Sequence, residues 1–344
     1  MPRRLGVISA AAAVLTVAAC GGSSRGADKS SNGSTAPATA AAGGYVNPVY
    51  DQDFPDPAVL RVGTTYHAYG TQGAGKNIQT LSSPDLVHWR PGGDALPQLG
   101  SWADAGNTWA PEVITLGSTY VMYYVARSAD RGVQCIGRAT ASAPGGPFTD
   151  TATRPLVCQA SLGGSIDADP IRAKDGSLYL YWKNDGNCCG KPVHLWGQRL
   201  SADGAALVGR PVALMTNAKA WQGNLVEAPE MVAHGRGYVL FYSANNYASA
   251  DYGIGYATCR TPLGPCTDRS NASIIASDDV AAGPGHCYVV VTTSGATWLL
   301  YHAWPAGAIG STTPGRQLWL EPVTWRGDVP SVHPSQAGPQ PAPR

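Results

Sequence analysis

Val226-Glu227-Ala228-Pro229-Glu230 leads, after a short apolar segment, into Gly237-Tyr238-Val239-Leu240-Phe241-Tyr242-Ser243-Ala244-Asn245. An acidic residue opens the unit, a Gly-containing turn follows about ten residues later, and an aromatic strand closes it. The same plan is written five times. Its strands are Thr65 to Gly70, Thr119 to Tyr124, Leu178 to Trp182, Tyr238 to Tyr242 and Thr297 to Tyr301, with lead aromatics at positions 66, 120, 179, 238 and 298. The intervals are 54, 59, 59 and 60 residues. A recurring interval of that size, with strand and turn signals in each copy, predicts a five-bladed β-propeller.

Each copy also carries one polar residue upstream of its lead aromatic: Asp56, Glu112, Asp167, Glu227 and His286, at offsets of 10, 8, 12, 11 and 12 residues. If that place is the inner strand of a blade, all five side chains converge on one axis. Clustered carboxylates repel one another and are costly to desolvate, so a packed core has little use for them. Their convergence points to a reaction centre.

Residues 1–20 read as an export signal: Arg3 and Arg4 precede an apolar run from Leu5 to Ala19 that is too short to span a bilayer comfortably. Val17-Ala18-Ala19-Cys20 resembles a bacterial lipoprotein box, with Cys20 as the lipidated residue. The competing reading is an ordinary secretory signal with an incidental cysteine. A Gly/Ser/Ala/Thr/Pro stretch over 21–44 reads as a flexible tether, 45–330 as the propeller, and 331–344 as a disordered tail. No further binding module is expected after Pro330.

Forty-two glycines, 27 prolines and a charged fraction of 14% suit many short strands joined by turns. A net charge of +1 gives no electrostatic footprint for nucleic acid, and membrane contact is expected only through the N-terminal lipid. Cysteine usage agrees with export. Cys259 with Cys266 and Cys135 with Cys158 are the candidate disulfides; Cys188 and Cys189 either bridge each other or pair elsewhere, and Cys287 is the odd one. No Cys/His spacing matches a structural zinc site.

Six short motifs together resemble glycoside hydrolase family 43: Phe54-Pro55-Asp56-Pro57, Ser82 to Trp89, Trp109-Ala110-Pro111-Glu112, Ile166-Asp167 with Lys174-Asp175-Gly176, Glu227-Ala228-Pro229, and Pro284-Gly285-His286. Each is weak alone; their order along the whole mature domain carries the resemblance. It implies a five-bladed propeller and inverting hydrolysis of arabinose- or xylose-containing polysaccharides; a monomer is expected. Inversion needs one carboxylate to activate water and a protonated one to serve the leaving oxygen, with a third to raise the acid's pKa. By motif, Asp56 resembles the base, Glu227 the acid and Asp167 the modulator.

Asp169 shares strand parity with Asp167 and stays open as an alternative. Glu230 falls on the opposite face by the same parity. The resemblance also implies a structural Ca²⁺ near the axis with His286 as ligand, and no organic cofactor. Trp109 is a candidate sugar platform, Glu112 is a candidate substrate contact, and Arg316 either binds sugar hydroxyls or pairs with an axial carboxylate. β-Xylosidase is the competing activity within the family, and a carbohydrate-capture propeller without catalysis is the competing class.

Overall fold

The computed structural model describes residues 44–333 and 338–343. Five sheets stand as blades. Their inner strands are Ala58–Val62, Ala103–Leu116, Ser165–Arg172, Val226–His234 and Ala281–Val291. Each pairs antiparallel with the aromatic strand of its own repeat, so all five repeats occupy the second position of a blade. Four blades have four strands; the second has three.

The aromatic strands are apolar on both sides because both are buried. In the fourth blade, Tyr238, Leu240 and Tyr242 pack towards the third, whereas Val239 and Phe241 pack towards the fifth. Five such clusters, one between each pair of neighbouring blades, replace a single central core. Bulky side chains therefore lie between blades and leave the axis to polar groups.

The ring is closed by the N-terminal segment lying on the fifth blade. The Tyr45 hydroxyl donates to the Leu320 carbonyl at 2.7 Å, and the Leu320 amide donates to Asn47 Oδ1 at 2.9 Å. The 331–344 tail is not wholly disordered. Val329–Val332 is the outer strand of blade five, and Gln340–Pro341 pairs with Gly44–Tyr45. Backbone pairing across the closure gives Gln340–Pro341 a fixed place in a sheet. The expected signal segment, Cys20 and nearly all of the tether lie outside the described residues.

Cys135–Cys158, Cys188–Cys189 and Cys259–Cys266 are disulfides, and Cys287 is a buried free thiol.

Candidate active site

Eight non-glycine residues among those described have positive φ, and five of them occur once per blade: Asp56 (54°), Ala110 (41°), Asp167 (57°), Ala228 (50°) and His286 (48°). L-residues seldom adopt this left-handed conformation, and it persists where surrounding contacts enforce it. Here several of the amides are held by polar partners. Asp56 N–H donates to His302 Nδ1 at 3.1 Å and Ala110 N–H to Thr71 Oγ1 at 2.9 Å. Ala228 N–H donates to Asp167 Oδ2 at 2.9 Å and His286 N–H to Ser243 Oγ at 2.8 Å. The repeated kink breaks strand alternation and brings consecutive side chains to the axis at two depths.

These kinks correct the alignment of the repeats. The structural equivalents of Asp56, Asp167 and His286 are Ala110 and Ala228; Glu227 stands one residue before the kink, as do Trp109 and Ile166. Glu112 stands two residues after it, level with Asp169 and Glu230.

The upper set lines a cavity of about 350 Å³: Asp56, Asp167, Glu227, His286, Trp109 and Arg316 all face it. The lower set does not. Glu112, expected at the substrate, lies beneath with Asp169 and Glu230, their carboxylate oxygens within 4.8 Å of one another. Asp169 is thereby separated from Asp167. Glu230, expected on the opposite strand face, turns inward because the pairing register shifts between Glu227 and Glu230.

Asp56 is the most heavily held carboxylate. Arg316 Nη1 donates to its Oδ1 at 2.9 Å and Thr71 Oγ1 to its Oδ2 at 2.6 Å. Burial would raise its pKa, but Arg316, His286 and the Thr71 hydrogen bond outweigh that and hold it well below the usual carboxylate range. His302 is fully buried. Burial, reinforced by the Arg316 charge, pushes its pKa well down, so it is neutral and accepts from the Asp56 amide through Nδ1. Asp167 is pushed up to about 6 by burial, with Glu227 and Asp56 adding repulsion against the opposing pull of His286 and Lys183.

Glu227 is gripped at both oxygens: the Tyr252 hydroxyl donates to Oε1 at 2.8 Å and Lys183 Nζ to Oε2 at 2.8 Å. Lys183 is completely buried and also lies 3.6 Å from Asp185 Oδ1. Burial opposes its charge, but Glu227, Asp167 and Asp185 more than compensate and raise its pKa. Sequence reasoning missed Lys183, Tyr252, Thr71 and His302. For Lys183 a signal existed: a lysine inside Leu178-Tyr179-Leu180-Tyr181-Trp182-Lys183 is a charge in a buried strand, which needs a buried partner. Thr71 and Tyr252 stand in loops that carry no such mark.

His286 Nδ1 lies 3.4 Å from Asp56 Oδ1, a carboxylate already committed to Arg316. One imidazole and one shared carboxylate supply few of the six to eight ligands that Ca²⁺ takes, so an ion beside His286 would be held mainly by water. The lower carboxylates have a harder donor set, spaced so that protons or a small cation could neutralise it.

Comparison with known proteins agrees with this architecture. The family model described as Glycosyl hydrolases family 43 matches residues 45–330. A beta-D-galactofuranosidase of Aspergillus niger is 26% identical, over 74% of this chain and 75% of its own. An extracellular endo-alpha-(1->5)-L-arabinanase of Bacillus subtilis is 23% identical, over 87% and 92%. The crystal structure of a thermostable family-43 glycoside hydrolase superposes with a TM-score of 0.78 at 30% identity, covering 87% of this chain and 99% of that one.

Proposed function

Because the chain belongs to glycosyl hydrolase family 43, whose members invert, we propose that it hydrolyses α-L-arabinofuranosidic bonds of arabinan or arabinoxylan, with Asp56 as base, Glu227 as acid and Asp167 as modulator. The observation that carries this reading is the unequal treatment of the carboxylates around one cavity. Asp56 is kept ionised by Arg316 and Thr71, as a group that takes a proton from water must be. Glu227 is held by Tyr252 and Lys183, so the carboxylate left after proton donation is met by a hydroxyl and an ammonium already in place. Asp167 lies within electrostatic reach of both and accepts the Ala228 amide, which fixes the strand that carries Glu227.

In this mechanism water attacks the anomeric carbon from the Asp56 side as the glycosidic oxygen leaves towards Glu227, inverting the configuration. Trp109 and Arg316 border the same cavity and are proposed to hold the sugar; Glu112 lies too deep for the contact first expected of it. Asp56→Ala and Glu227→Ala should each lose at least about 10²-fold in kcat on linear arabinan with the fold retained by circular dichroism. Activity within a few-fold of wild type in either variant would remove the assigned mechanism. β-Xylosidase activity is the competing outcome, read in the same assay with an aryl xyloside.

Two further assignments complete the proposal. A calcium ion is proposed at the propeller axis as a structural ion; metal analysis after gel filtration should find about one equivalent, and metal-free protein of unchanged melting temperature would refute it. The relative from Bacillus subtilis is named extracellular, and an exported, Cys20-lipidated form of the present protein is proposed from the lipoprotein-like segment. Palmitate labelling that persists in Cys20→Ser would contradict the anchor. The anchored enzyme is taken to act as a monomer.

A further inference from the structure

The segment after the third blade's aromatic strand contributes more to the cavity than any catalytic assignment uses. Lys183, Asp185, Asn187 and Cys188 all line it, within six consecutive residues. Asn184 and Asp185 are buried, then the chain emerges: Asn187, Cys188 and Cys189 are exposed on a single 3₁₀ turn, Gly186–Cys189. Cys188 and Cys189 are bonded to each other. An exposed bridge between adjacent residues ties no distant parts of the chain together, so loop closure of the unfolded state gives it little to do.

The turn is nevertheless firmly placed. Asp185 N–H donates to the Gly164 carbonyl at 3.1 Å, and Asn184 Nδ2 to Leu162 and Pro192 carbonyls at 3.1 and 2.9 Å. Lys191 Nζ donates to the Ser161 carbonyl at 2.7 Å, and Cys188 Sγ lies 3.6 Å from the Gly163 carbonyl oxygen. Two loops are thus locked together under the sulfur pair. Bonding the two sulfurs removes both S–H donors and leaves a small, rigid, polarisable apolar surface. Cys188 brings that surface to the cavity, whose wall otherwise has Trp109, Tyr247 and Ile166 as large apolar groups; the rest is charged or polar. A furanose or pyranose ring presents C–H faces that need such surfaces, while its hydroxyls need the polar groups.

We propose that the Cys188–Cys189 disulfide is the apolar platform of the leaving-group sugar subsite and sets affinity for oligosaccharides over simple glycosides. The side is argued from continuity: the segment starts at Lys183, whose ammonium is bonded to Glu227, and Glu227 serves the departing oxygen. The inference rests on the arabinosidase reading for that last step.

The test compares wild type with Cys188→Ser/Cys189→Ser on two substrates, linear arabinohexaose and α-L-arabinofuranosyl fluoride. The fluoride uses the same base but departs with little help from the acid, and it has no leaving sugar. KM for arabinohexaose should rise about five-fold or more, a loss of roughly 1 kcal/mol of binding, with kcat and both fluoride constants within about two-fold of wild type. The same split should follow reduction and S-methylation of the exposed pair in folded wild type, with mass spectrometry showing Cys135–Cys158 and Cys259–Cys266 still bonded. This second measurement stands if the double variant folds poorly. Unchanged KM for arabinohexaose, or equal losses on both substrates in both preparations, would overturn the platform. Wild-type protein inert on both substrates would overturn the arabinosidase reading and the platform with it.

Discussion

Arg316 illustrates how one residue can decide the chemistry of another. Its guanidinium is bonded to Asp56 at 2.9 Å and stacks 5.0 Å over the Tyr247 ring, while its amide is held by Asp53. Without that charge the Asp56 carboxyl would titrate higher. A base acts only when deprotonated, so a higher Asp56 pKa moves the acid limb of the pH profile of kcat/KM to higher pH. Arg316→Gln should show this shift, by about one pH unit or more, together with a lower maximum. An acid limb at the wild-type position would mean that Arg316 does not set the ionisation of Asp56. Arg316 was visible in the sequence only as one arginine near Gly315, with substrate hydroxyls and an axial carboxylate equally open to it. The fold distinguishes them by bringing residues 56 and 316, 260 positions apart, into contact.

At the scale of the element, the inner strands show where sequence reasoning fails. The repeats were legible because the aromatic strands pack on both faces and keep their spacing. The inner strands were not legible residue by residue, because parity holds only for a regular strand and each of these kinks. That is why Glu230 turns inward and why Glu112 belongs with Asp169 instead of with Asp167.

The lower carboxylates have a thermodynamic consequence. Burial and mutual repulsion raise Glu112 and Glu230 well above the usual range, and burial lifts Asp169 to about 8 against the Met231 amide that donates to it. A carboxyl with a raised folded-state pKa binds its proton more tightly in the native state. Its contribution to stability is fully present below the unfolded value near 4 and is lost as pH rises through the folded value. The stability of chelator-treated protein should therefore fall between pH 5 and pH 9, by at most about 1.4 kcal/mol per pH unit for each proton, and its melting temperature with it. Asp169→Asn, which mimics the protonated shape, should flatten the fall. Stability that rises over this interval would show that the cluster is ionised in the native state.

For the whole molecule, polar groups reach the axis because the bulky residues are spent between blades. Five interblade clusters stabilise the ring without filling its centre, and the cavity forms where five kinked strands converge. Recurrence supplied the blade number and brought Asp56, Asp167, Glu227 and His286 to the cavity, but it placed Glu112 there too, which the kinked strand sends deeper. The closure by Gly44–Tyr45 and Gln340–Pro341 could not, since two-residue strands leave no periodic trace.

The most direct measurement is a proton NMR time course of purified protein acting on linear 1,5-arabinan, following the anomeric signals of the first sugar released. Attack by water from the Asp56 side requires the β-anomer to appear first and the α-anomer only as mutarotation proceeds. The α-anomer appearing first, or no product from arabinan at all, would contradict inverting arabinoside hydrolysis by this site.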